Sequence, residues 1–133
     1  MKRVFADAFL YIAMLNRSDA AHRRAMELVA SGAVEIVPTV AILLEVADAM
    51  SAPARRLACG GFLEDLIAHS STMVHRLDDD LLGRGLELYR ARPDKEWSLT
   101  DCISFVVMAD EGLTEALTGD RHFEQAGFKA LLA

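Results

Sequence analysis

With 133 residues, 53% of them hydrophobic and 26% charged, the chain has the length of one domain and the composition of a folded protein rather than a disordered one. No stretch approaches the ~18 uncharged apolar residues of a membrane span, and the basic start Met1-Lys2-Arg3 leads into an apolar run that Asp7 breaks without a cleavage-site pattern. A cytoplasmic location is therefore expected, and the net charge of −6 argues against a broad basic nucleic-acid surface while leaving room for a local one.

Lys2 to Ala6 reads as a short buried strand, followed by a helix over Ala8 to Leu15. Ser18 suits the cap of a second helix from Asp19 to Ala30, closed by Gly32. Val34 to Val37 is a second strand ended by Pro38, and Thr39 can cap the helix that carries Glu45 and runs to about Met50. Ser51-Ala52-Pro53 restarts a helix, with proline near its first turn, that continues to about His69. Thr72 to Arg76 is a third predicted strand and Asp78 to Ala91 a further helix. The loop Arg92 to Trp97 leads to a helix from Ser98 to Glu111. Glu115 to Thr118 is a fourth strand, Asp120 to Gln125 a short helix, and Phe128 to Leu132 an edge strand. Strands this short, separated by helices, imply parallel βαβ connections and a sheet covered on both faces. The expected fold is thus a single α/β domain over 1–133, a three-layer sandwich with a short central parallel sheet flanked by helices. Its active cleft should lie beyond the carboxyl ends of the strands.

Four carboxylates sit where apolar sequence makes a charge costly. Asp7 closes Val4-Phe5-Ala6, Glu45 interrupts Ala41 to Ala47, Asp101 opens the run from Cys102 to Ala109, and Asp120 follows the last buried strand. Buried charges are normally paired or bound to metal, and four converging carboxylates would suit a hard cation, Mg²⁺ or Mn²⁺. Each acid also has an ordinary reading. Asp7 and Asp120 suit helix caps, Asp101 stands three residues after Ser98 in capping-box spacing, and Glu45 suits an exposed helix edge or an ion pair with arginine.

Taken in order, these segments resemble a known family. Trp97 to Met108 resembles the third-acid helix of PIN-domain ribonucleases, and Leu117-Thr118-Gly119-Asp120-Arg121-His122-Phe123 resembles their fourth-acid turn. Val4 to Asp7 looks like their first strand and acid, and Pro38-Thr39 through Glu45 like their second. Small stand-alone domains of this size resemble the VapC-type toxins of prokaryotic toxin–antitoxin pairs. The resemblance implies Mg²⁺- or Mn²⁺-dependent cleavage of RNA, with Asp7, Glu45, Asp101 and Asp120 as catalytic metal ligands and Thr118 and Ser98 supporting them through hydrogen bonds. It also implies a homodimer and an antitoxin partner that inserts a peptide into the cleft. One departure is visible: many relatives carry a hydroxyl residue just after the first acid, where this chain has Ala8 and Phe9.

Other conspicuous residues are read as lying outside the centre. Asp110 should point away from Asp101 across their shared helix and be solvated near Gly112. Asp78-Asp79-Asp80 suits a helix start. His22, His69, His75 and His122 lack zinc-ligand spacing, and Cys59 and Cys102 read as reduced structural thiols. Phe105 and Met108 suit the core, Trp97 suits either packing or base stacking, and Arg55, Arg56 and Arg121 suit either surface charge or phosphate contacts. Two readings from other classes are a PIN-like binding module with a silent metal site and an aspartyl-nucleophile phosphohydrolase. The second usually carries a further acid where Phe9 stands.

Overall fold

The computed structural model describes residues 2–68 and 71–133. The first strand, β1 (Lys2–Ala6), buries Val4, Phe5 and Ala6 completely. It lies between β2 (Val34–Val37) and β3 (Glu115–Leu117), and β4 (Lys129–Ala130) extends the other edge of β3. All three pairings in the sheet, of order β2-β1-β3-β4, are parallel. Parallel neighbours need crossovers, and helices supply them. Helices α1 (Ala8–Leu15) and α2 (His22–Ala30) link β1 to β2. Helices α3 (Val40–Ala49), α4 (Pro53–Ala68), α5 (Asp79–Ala91) and α6 (Leu99–Glu111) link β2 to β3, and α7 (Arg121–Gln125) links β3 to β4. The expected α/β architecture, a parallel sheet flanked by helices, is the one the chain forms. Phe5 stands opposite both Val37 and Ala116. The register therefore brings the carboxyl ends of β2, β1 and β3 side by side.

An aromatic wall stiffens that end of the sheet. Phe123 of α7 lies 6.1 Å from Phe5 and 5.0 Å from Phe105 of α6, whose ring meets Trp97 at 5.0 Å. The Phe105 contacts with Trp97 and Phe123 are edge-on, a geometry that adds about 0.5–1.5 kcal/mol beyond the area buried. Trp97 is buried, and its indole N–H donates to Gln125 Oε1 at 3.0 Å, so its role is packing. Phe105, Met108, Cys59 and Cys102 are buried too, the thiols both free. Helix α5 runs close against α6, since a Cβ added at Gly85 would meet Ile103 Cγ1 at 2.6 Å. Among the described residues no helix is long and apolar enough to cross a membrane.

Several predicted elements need correction. The strand expected over Thr72 to Arg76 is only two isolated bridges, Ile36 with Thr72 and Thr39 with His75. Bonds run from Met73 N to Ile36 O, from His75 N to Pro38 O and from Val40 N to His75 O, but the alternation places Pro38 as the donor between them. Proline has no N–H, so the ladder is broken at its middle. Helix α2 begins at His22 rather than Asp19, because Asp19 Oδ1 accepts the Ala21 amide at 2.8 Å in a turn of its own. β3 ends at Leu117, one residue early, where the Thr118 amide turns back to Ala116 O. The Phe128 to Leu132 strand shrinks to Lys129–Ala130. Asp78 caps α5 by accepting the Leu81 amide at 2.8 Å, with Asp79 and Asp80 in the first turn. The predicted end of α4 at His69 lies outside the described residues.

Candidate functional site

The four acids reach the strand ends from different elements. Asp7 directly follows β1, and Asp120 follows β3 through Thr118 and Gly119. Glu45 sits one turn into α3, which starts beside β2 where Thr39 Oγ1 accepts the Ile42 amide at 3.1 Å. Asp101 lies in the first turn of α6. At the turn the Phe9 ring lies close over Gly119, where an added Cβ would stand 2.6 Å from Phe9 Cζ and push the ring aside. Phe9 thus packs against the backbone that delivers Asp120.

Asp7 occupies the cap position of α1, yet its side chain makes no capping bond. It is 6% exposed and accepts the Thr118 hydroxyl at Oδ2, 2.7 Å away, while Thr118 Oγ1 accepts the Asp120 amide at 3.0 Å. Thr118, wholly buried, therefore ties the first acid to the fourth. At α6 a capping box forms: Ser98 Oγ accepts the Asp101 amide at 3.0 Å, and Asp101 Oδ2 accepts the Ser98 amide at 3.1 Å. Asp120 Oδ1 caps α7 by accepting the His122 amide at 2.9 Å. Capping and clustering do not compete here, because each cap uses a single carboxylate oxygen.

The electrostatics are those of uncompensated acids. Burial pushes Asp7 up to about 6, against the pull of the Thr118 hydroxyl, and the carboxylates of Asp101 and Asp120 raise it further. Burial also pushes Glu45 up to about 7, helped by the charges of Asp7, Asp101 and Asp120. The four acids thus share one electrostatic neighbourhood. Glu45 Oε2 is buried without a hydrogen-bond partner among the described residues, a costly state for a carboxylate oxygen. The arginine ion pair considered for Glu45 is absent among these residues.

His122 belongs to this neighbourhood as well. Its Nδ1 lies 3.0 Å from Asp101 Oδ2 and 3.6 Å from Asp120 Oδ1, and the ligand atoms of Asp101, Asp120 and His122 all fall within 4.8 Å of one another. The lack of zinc-ligand spacing in the sequence places this histidine outside the centre, and the structure corrects that expectation. Its nearness to Asp120 follows locally, since a residue two positions beyond a helix cap stays beside that cap, whereas its contact with Asp101 depends on tertiary packing. Asp110 stays outside the cluster, exposed as expected, but is gripped by Arg84. His22 Nδ1 meets Ala13 O and His75 lies beside Glu111, both away from the four acids. Asp7 and Glu45 fall outside that 4.8 Å group and join it through their charges; together, buried Asp7, the orphaned Glu45 oxygen and the carboxylates of Asp101 and Asp120 are donors of the kind that would suit a hard divalent cation.

Comparison with known proteins agrees with the fold. The model of the PIN domain matches residues 4–129. The fold is similar to that of Mycobacterium tuberculosis VapC20, described as a sarcin–ricin loop cleaving toxin, with a TM-score of 0.85 and 25% identity over 94% of this chain and 95% of that one. It is also similar to FitAcB from Neisseria gonorrhoeae, with a TM-score of 0.68 and 12% identity over 96% of this chain and 95% of the other. VapBC2 from Rickettsia felis, solved bound to a DNA fragment from its promoter, gives a TM-score of 0.68 and 13% identity over 96% of each chain. No curated protein sequence matches the chain. The match spans both ends of the acid set, and the chain belongs to the PIN domain family.

Proposed function

We propose that this protein is a metal-dependent endoribonuclease, the toxin of a toxin–antitoxin pair, in which Asp7, Glu45, Asp101 and Asp120 hold Mg²⁺ or Mn²⁺. The observation that carries this reading is Glu45: a carboxylate oxygen buried without a hydrogen-bond partner among the described residues, under the charges of Asp7, Asp101 and Asp120. When bound, a divalent cation lowers the pKa of water and offsets charge on the phosphate and the leaving oxygen. The chain's own residues do the rest. The Thr118 hydroxyl holds Asp7 and fixes its distance from Asp120. The Ser98 amide orients Asp101. The buried Phe5, Phe105 and Phe123 keep α6 and α7 from relaxing away under mutual repulsion of the acids.

The toxin and antitoxin assignments draw support from the likeness to VapC20 and to the VapBC2 assembly. Helices α3 and α4, which pack on one another, leave Leu44, Leu57 and Ile67 exposed, Leu57 to 91%. Apolar surface of this kind suits a protein partner, whether an antitoxin or a second copy in a homodimer. The proposed site of action is the cytoplasm, where RNA substrate is met.

The test is incubation of the purified protein with a sarcin–ricin loop oligonucleotide, an unrelated single-stranded RNA and a small phosphate ester, each with Mn²⁺, Mg²⁺ or EDTA. Internal cleavage of RNA that requires a divalent ion supports the proposal. Turnover of the ester alone would favour the aspartyl phosphohydrolase, and protein that stays inert with every ion would favour the silent binding module.

A further inference from the structure

We propose that His122 is a positioning residue of the acid centre, bracing Asp101 against Asp120 through its ring N–H and its backbone N–H. The inference rests on the metal-site reading above and concerns how that site keeps its shape. An ionised carboxylate only accepts hydrogen bonds, so the 3.0 Å contact with Asp101 Oδ2 assigns the bonding proton to His122 Nδ1. The same Oδ2 accepts the Ser98 amide at 3.1 Å. Two donors, one from the start of α6 and one from the first turn of α7, converge on a single oxygen and leave Oδ1 for a cation. The backbone N–H of His122 holds Asp120 in parallel, at 2.9 Å from Oδ1. The ring nitrogen stands 3.6 Å from that oxygen, outside hydrogen-bond range, so its bond goes to Asp101.

The arrangement answers a mechanical problem. Helix α7 has only five residues, too few for its own hydrogen bonds to fix its direction. Phe123, fully buried against Phe105, anchors it from behind, and the adjacent His122, its side chain 20% exposed, anchors it from the cleft side. Without the ring, the third and fourth acids would be held apart by repulsion with only separate caps to restrain them. The imidazole is also near enough to be a ligand itself, but a ligating Nδ1 would have to give up its bond to Asp101. These two roles are experimentally separable.

Chelator-stripped wild type, His122→Asn and His122→Ala are titrated with Mn²⁺, free ion being read by its EPR signal, and each protein is melted without metal. The Asn amide nitrogen sits where Nδ1 does and donates in the same direction. His122→Ala should weaken Mn²⁺ binding by about 10–100-fold, as loss of a supporting partner does. His122→Asn should bind close to wild type, and Mn²⁺ bound to wild type should show no imidazole nitrogen hyperfine coupling. Wild-type affinity in His122→Ala, an equal loss in His122→Asn, or imidazole coupling in the wild type would each overturn the assignment. Should the alanine variant fail to fold, the asparagine variant and the spectrum still decide it. Failure of the histidine variants alone leaves the metal site standing, whereas folded wild type that binds no Mn²⁺ removes both readings.

Discussion

At the outer side of α5 and α6, Arg84 grips both oxygens of Asp110 at 2.6 and 2.7 Å, and in the following loop Arg92 grips Asp94 at 3.0 Å; at the strand ends, Asp7 and Glu45 face other acids instead. The same residue type is driven in opposite directions. The Arg92 hydrogen bond pulls Asp94 down to about 2, and Arg84 likewise lowers Asp110, while burial pushes Asp7 to about 6 and Glu45 to about 7. The paired acids are complete within the chain. Burial of the charged forms of Asp7 and Glu45 costs stability as they stand, and on the proposed reading a bound cation would turn that cost into binding. Asp7 and Glu45, without a basic partner among the described residues, set the proposed site apart from the paired acids, and the variants that follow attack or refine that contrast.

The largest effect is expected at Glu45. Glu45→Gln keeps size and helix propensity but removes the charge, and it should reduce metal-dependent RNA cleavage by more than the roughly 10–100-fold that loss of a supporting group costs. Circular dichroism should show an intact fold. Near wild-type cleavage by a folded variant would remove Glu45 from the site.

The second prediction uses pH in the presence of EDTA. Asp7 and Glu45 have folded pKa values above their ordinary 3.8 and 4.5, so the folded state holds their protons more tightly than the unfolded chain does. Their penalty is absent below about pH 4, grows as pH rises through the folded values near 6 and 7, and is complete above them. For Asp7 it amounts to roughly 3 kcal/mol; partly exposed Glu45 adds less. The stability advantage of Asp7→Asn over wild type should therefore widen from pH 5 to pH 8, as measured by thermal melting. An advantage that narrows would mean the carboxylate is compensated after all.

Asp101→Asn should produce a smaller change. Asn can still accept from the Ser98 amide and His122, so only the charge and its dipole interaction, typically ~0.3–1 kcal/mol, are lost. Relief of repulsion should leave the metal-free variant at least as stable as wild type, while its gain in melting temperature from Mn²⁺ shrinks sharply. Arg84→Ala, the control at the paired end, should leave RNA cleavage and the Mn²⁺ response unchanged, since an exposed pair contributes little. A loss of activity there would break the contrast from the other side.

What could be read beforehand follows the same division. Strands β1 and β2 and helices α3, α5 and α6 are marked by apolar runs and by caps such as Thr39, Asp78 and Ser98, all local signals. The acids stand out because each interrupts or borders apolar sequence. The strand expected over Thr72 to Arg76 was illegible because its failure depends on Pro38 of another segment. His122 was overlooked for a related reason: its partner Asp101 is distant in sequence, and only the packing of Phe123 on Phe105 brings them together. The Thr118 bridge lay in between, since the turn was visible but its hydroxyl contact with Asp7 spans the sheet.

The central claim is that the acid cleft is unfinished without a divalent cation. Calorimetric titration of chelator-stripped wild type, Glu45→Gln and Arg84→Ala with Mn²⁺ at neutral pH tests it most directly. The account predicts saturable binding by wild type and Arg84→Ala, and its loss or severe weakening in Glu45→Gln. Folded wild-type protein that takes up no Mn²⁺, or a Glu45→Gln variant that binds it as wild type does, would contradict the account.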